Sequence, residues 1–199
     1  MKEQDARIAA VAAAEFHEHG ITSTGVDTLS RAAGISKRTL YERFGNKDGV
    51  IVAAYESLDL PVFLMFTERA EAETDDPRGQ LEALFAHLEV MVGMPEFRGC
   101  PFANAAAELA DPDHPAHAVV RAHKERIRLW MRDRVSAAGA REPEALSRQL
   151  MLVFAGAQSQ ALVERSARPA ADARLMVSEL LDDATTSSSG RSPARTTPE

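Results

Sequence analysis

Between Thr24 and Lys47 the chain carries two apolar pairs, Leu29 with Ala33 and Leu40 with Phe44, separated by Gly34. Four-residue spacing puts each pair on one face of a helix. The glycine admits the left-handed backbone that ends one helix and turns the chain. Ile35 plugs the gap beneath the turn, and Ser36 is a helix N-cap by residue type. Two short helices across a tight turn, with cations on the second, form a helix-turn-helix. That motif sets its second helix in the DNA major groove.

The formal net charge of −7 looks wrong for such a role until its distribution is read. Residues 1–49 hold seven Lys/Arg and seven Asp/Glu, so the whole acidic excess lies beyond them. Within 31–47, Arg31, Lys37, Arg38, Arg43 and Lys47 face a single acid, Glu42. A small local basic patch on an otherwise acidic chain suits a groove reader, and the acidic remainder orients it by repulsion. A plain solvated helix face is the alternative reading of the same cations.

The 199 residues, 45% hydrophobic, suffice for one or two compact domains. Helix formers dominate and no strand-like alternation persists, so the chain reads as all-α with about nine helices. The first runs from about Asp5 to His19 and ends at Gly20. Thr24 is expected to cap the second, with Asp27 in a variant capping box. Ser36 caps the third, and Asn46 a long apolar fourth from Lys47, which Pro61 is expected to kink or break. Further helices are expected over about 78–92, 102–109, Pro115 to Ala138, from Pro143, and over 170–183.

The segment 185–199 has no apolar anchor and is expected to be a disordered tail. No uninterrupted apolar run approaches the roughly 18 residues of a membrane span. The start lacks a signal-peptide core, and Cys100 is the only cysteine. These features favour the cytoplasm and no membrane partner.

Ala13, Ala14, Glu15 and Phe16, then Gly20 and Thr24, then Ala33, Gly34, Ile35 and Ser36, then Thr39, Leu40, Tyr41, Phe44, Asn46, Lys47 and Asp48, match together in type and spacing. This pattern resembles the TetR family of bacterial transcription regulators. The run from Gly99 to Leu109 resembles a segment recurring in one branch of it. The resemblance implies an N-terminal helix-turn-helix domain (1–46) and a ligand-sensing, dimerising domain (47–184). It implies a homodimer on a pseudo-palindromic double-stranded operator, and a small-molecule effector that weakens operator binding. No enzymatic activity and no cofactor are implied.

Side-chain chemistry and the resemblance together assign roles. Thr24 and Ser36, as caps, are expected beside phosphates, with Tyr41 and Lys47 as further phosphate contacts. Lys37 and Arg38 open the recognition helix and are the candidates for guanine N7 and O6. Thr39 suits a thymine methyl or a phosphate, and Arg43 either class. Arg31 is expected to pair with an acid. Glu42 departs from the family pattern: it either accepts from cytosine N4 or is held by Arg38 or Arg43.

The resemblance sets the effector pocket among the fourth to eighth helices. Candidates are Phe63, Phe66, Phe85, Met91 and Phe97, and further along Cys100, Phe102, Asn104, Trp130 and Phe154. Each also reads as ordinary core. Cys100 reads as an inert buried thiol or, near Arg98, as a sensor. His114, His117 and His123 with Asp111 and Asp113 are too loosely spaced to be assigned as a metal site. Small residues Ala155, Gly156, Ala157, Ser159 and Ala161 suit helix pairing across a twofold axis. An enzyme using Cys100 or Glu108 lacks a nucleophile–base–orienter arrangement. A protein-interaction module leaves the cations and Tyr41 without a role.

Overall fold

The computed structural model describes residues 2–185; the expected tail past Thr185 lies outside them. Among the described residues there are nine helices and no strand. They are α1 (Glu3–His19), α2 (Val26–Ala33), α3 (Lys37–Phe44), α4 (Lys47–Glu73), α5 (Pro77–Val92), α6 (Pro101–Glu108), α7 (Ala116–Ala137), α8 (Pro143–Glu164) and α9 (Arg168–Thr185).

Two apolar clusters organise the molecule. One joins Ile8 and Phe16 of α1, Leu29 of α2 and Leu40 of α3 to Val50, Ile51 and Tyr55 of α4, and continues into Phe102 of α6 and Val120 of α7. The other gathers Phe66, Leu84, Phe85, Ile127, Met131, Leu150 and Phe154 from α4, α5, α7 and α8, and closes under α9. Each fully buried Leu or Phe contributes about 1.5–3 kcal/mol relative to exposure. The head core therefore does not end at residue 46, since the first turns of α4 and the buried face of α6 (Phe102, Ala105) belong to it.

α4 belongs to both clusters and packs on α1, α5 and α7. Asn46 caps it by accepting the Gly49 N–H at 2.8 Å. Pro61 does not break it: the helix is continuous over 27 residues. Proline removes one backbone bond, to the carbonyl four residues back, and side-chain packing on both sides of that point holds the helix together. By length and composition α4 is apolar enough to cross a membrane, contrary to the expectation from uninterrupted runs. Glu56 and Asp59 interrupt its sequence, and its apolar side chains meet other helices as well as solvent.

Candidate nucleic-acid interface and adjoining cavity

Gly34 is left-handed (φ 67°), and the Ile35 N–H donates to the Ser30 carbonyl at 3.0 Å, which closes α2 and sets the angle into α3. Ser36 Oγ accepts the Thr39 N–H at 3.0 Å and lies 2.9 Å from the Thr39 hydroxyl. Leu40 is wholly buried, which fixes the opposite face of α3 toward solvent. That face presents Lys37, Arg38 and Glu42, with Tyr41 43% exposed. The first turn of α3 holds two cations and no acid. The helix dipole disfavours cations there, so the arrangement sacrifices a little helix stability for a strongly anion-attracting end.

Both candidate readers are held by acids. Lys37 Nζ is 2.5 Å from Asp27 of α2, and Arg38 Nε donates to Glu42 at 2.8 Å. Of the two roles open to Glu42, the Arg38 pair is the one formed here. Arg31 is exposed and has no acid partner among the described residues, contrary to expectation.

Three expected contacts are engaged within the head. Thr24 does not cap α2; Gly25 occupies the N-cap, with no side-chain cap. Thr24 is 1% exposed, and its hydroxyl donates to the Gly20 carbonyl at 2.7 Å, as its N–H does at 3.2 Å. The loop after α1 buries this hydroxyl, and a carbonyl four residues back satisfies it in this conformation. Arg43 donates to Asp5 and Gln4 of α1, both at 2.5 Å, because the last turn of α3 lies over the start of α1. It is a strut in this conformation. Lys47 Nζ donates to the Ile21 carbonyl at 2.7 Å, which leaves two ammonium donors over.

Behind the head lies a cavity of about 390 Å³. Its walls come from α1 (Ala10, Ala14, His17), α4 (Leu58, Val62, Phe66), the Met91–Pro101 segment, α7 (His123, Lys124, Ile127) and α8 (Phe154, Gln158). Of the pocket candidates, Phe66, Met91, Phe97, Cys100 and Phe154 line it. The other five do not. Phe85 is core, edge-on to Phe154 at 5.6 Å. Trp130 is buried and donates Nε1–H to Glu71 at 2.7 Å. Phe102 stacks on the His123 ring at 3.6 Å. Phe63 packs at the core margin near the Arg126 guanidinium. Asn104 donates to the Arg98 carbonyl at 2.8 Å.

The polar lining was not foreseen. His123 Nδ1 is 2.9 Å from Asp59, which also holds Arg126 at 2.9 Å. Burial pushes the His123 pKa below its ordinary value, against the opposing pull of Asp59. Burial, and then Arg98, lowers that of His17. Lys124 Nζ donates to Cys100 Sγ at 3.3 Å. Isolated polar residues on apolar helices give no periodic signal, which is why the aromatic candidates stood out instead. The three histidines between 114 and 123 form no common site: His114 and His117 are edge-on at 6.5 Å, with His117 meeting the Leu109 and Asp111 carbonyls and His114 accepting the Ala116 N–H, while His123 lines the cavity.

An all-helical molecule with a capped, cation-bearing helix displayed on a helix-turn-helix head is a DNA-binding protein by class. Residues 8–54 match the model of the bacterial regulatory proteins of the tetR family. The chain is 30% identical to a putative TetR transcriptional regulator of Streptomyces avermitilis, covering 92% of this chain and 98% of that one, with a TM-score of 0.75. It is 28% identical to a TetR-family regulator of Streptomyces coelicolor over 93% and 91% of the two chains, with a TM-score of 0.83. It is also similar, at 22% identity over 81% of its length and 85% of the relative's, to the HTH-type transcriptional regulator YjdC of Escherichia coli. The chain belongs to the TetR family of transcriptional regulators, DNA-binding proteins rather than enzymes.

Proposed function

We propose that this regulator is a ligand-responsive repressor, a homodimer released from a pseudo-palindromic operator by a small molecule. The observation that carries the reading is the cavity whose wall includes α1, a helix of the DNA-binding head. A molecule filling it bears on the head directly as well as through α4. Paired recognition helices must sit about 34–36 Å apart to meet successive major grooves, so a small displacement of the head spoils binding.

In this reading residues 1–46 read DNA and residues 47–184 sense and dimerise, in the compartment that holds the chromosome. Lys37 and Arg38 exchange their acids for base edges. Ser36, Thr39, Tyr41 and Lys47 contact the backbone. The dimer contact is the exposed face of α8, where Leu152 and Val163 are each 74% exposed and flank the small residues Gly156 and Ser159 on one helical face. Large apolar side chains left this exposed on one helical face favour an interface there. Ala157 and Ala161 are buried and pack within the subunit.

The test is a mobility shift with the DNA upstream of the chain's own gene, repeated across a panel of small molecules, with light scattering for the dimer. Salt-sensitive binding relieved by a compound supports the proposal. A monomer, or binding that no cavity-filling compound alters, overturns it.

A further inference from the structure

Gln158 is 4% exposed and lines the cavity behind α1, yet its carbonyl oxygen has no hydrogen-bond partner. Buried side-chain amides are nearly always satisfied, by protein, water or ligand. Around it the walls are apolar: Val62, Phe66, Met91, Ile127 and Phe154. The cavity's size, about 390 Å³, falls in the small-molecule range of roughly 300–1,000 Å³.

The charged side chains in the lining are two cations, Lys124 and Arg98, and one acid, Glu96. Lys124 has no carboxylate partner among the described residues, and its hydrogen bond goes to the Cys100 thiol. Arg98 likewise has none, and its Nε donates to the His17 carbonyl. Glu96 and Arg98 are both exposed, which leaves the half-buried Lys124 as the charge nearest the apolar interior of the site. Positive potential in an apolar site repels a cationic guest. The partner for the Gln158 oxygen must therefore be a donor that is not an ammonium.

We infer that the cavity takes a largely apolar alcohol or phenol, its hydroxyl donating to the Gln158 side-chain oxygen and its body seated against Ala10 and Ala14 of α1. This rests on the effector reading above and names its ligand class. The hydroxyl satisfies the amide, while the cations tolerate or favour partial negative charge on the ligand oxygen. Filling the site on the α1 side makes the guest a wedge against the head.

The test uses the full chain and three probes of one shape: 2-naphthol, 2-methoxynaphthalene and naphthalen-2-ylmethylammonium, titrated by fluorescence without DNA. Naphthol is expected to bind at least about fivefold more tightly than the ether, the range of one hydrogen bond, and at least about tenfold more tightly than the ammonium compound. In Gln158→Leu the ether should bind as well as naphthol. Gln158→Met serves the same purpose if the first variant melts early. Ala14→Phe should exclude all three probes. Equal binding of naphthol and ether to the natural chain, a preference surviving in the Gln158 variants, or no binding of any probe overturns the inference. Gln158-dependent naphthol binding that leaves DNA affinity unchanged supports this inference and sinks the effector role proposed above.

Discussion

Two carboxylates hold the two side chains best placed to read bases, and removing them should tighten DNA binding. Asp27 pairs with Lys37, whose side chain is 54% exposed, and Glu42 with Arg38, 88% exposed. Exposed pairs of this kind contribute about 0.2–1 kcal/mol each. Either cation must leave its acid to meet a guanine or a phosphate. The double variant Asp27→Asn, Glu42→Gln therefore saves about 0.4–2 kcal/mol on binding, which is roughly a 2- to 30-fold lower Kd. Relief of repulsion between the acids and the phosphates acts in the same direction. Fluorescence anisotropy on a duplex selected from a random library would measure it at about 50 and about 300 mM salt. The gain should shrink at the higher salt, where the Debye length shortens. A Glu42→Gln variant that binds its selected duplex several-fold more weakly would refute the reasoning, since Glu42 would then be reading a base such as cytosine through N4.

Lys47→Ala should weaken binding to all duplexes alike and flatten the salt slope by about 0.9, the signature of one lost phosphate contact; an unchanged slope would make Lys47 only the tether of Ile21. Arg43→Ala should lower stability by about 0.5–1.5 kcal/mol in denaturant unfolding through loss of its bonds to α1, with the salt slope intact; a flattened slope would return Arg43 to the DNA surface. Phe154 is 1% exposed and edge-on to both Phe66 and Phe85; Phe154→Ala should cost about 3–5 kcal/mol, and urea unfolding showing under about 1 kcal/mol would mean the site collapses around the loss. His17 and His123 have folded pKa values below their ordinary 6.5. The unfolded chain therefore takes up their protons first, and their stabilising share, present above that value, declines as pH falls through it toward the folded values. Melting temperatures from pH 7.5 down to about 5 should fall, and His123→Gln should reduce the slope; a flat profile in the natural chain would contradict the burial of both rings.

The helix-turn-helix was legible because its signals are local. Gly34 requires a left-handed turn, Ser36 a cap, and Leu40 a buried face, and each constraint acts within four residues. The same local rules misassigned Thr24, whose type suits a cap but whose hydroxyl meets the Gly20 carbonyl once the loop folds. They also gave no sign of the bonds Arg43 makes to α1, since nothing between residues 37 and 47 announces that Asp5 lies over the end of α3. At the cavity, the aromatic and Met candidates at helical spacing fell on the body core, and half of the pocket candidates line the cavity. Gln158, Lys124 and His17 escaped because a lone polar residue on an apolar helix becomes significant only through what surrounds it.

By itself the sequence determined the order of nine helices, the caps at Ser36 and Asn46, and the small basic patch that a DNA-reading head requires, because these depend on neighbours within a turn or two. Only the tertiary structure decided which cations remain toward solvent, which acids hold them, and that α1 of the head forms a wall of the cavity. The Arg38–Glu42 pair is local, but Arg43 on Asp5 and the α1 wall opposite Phe154 come from residues tens to more than a hundred positions apart, whose geometry is fixed when two apolar cores close around α4.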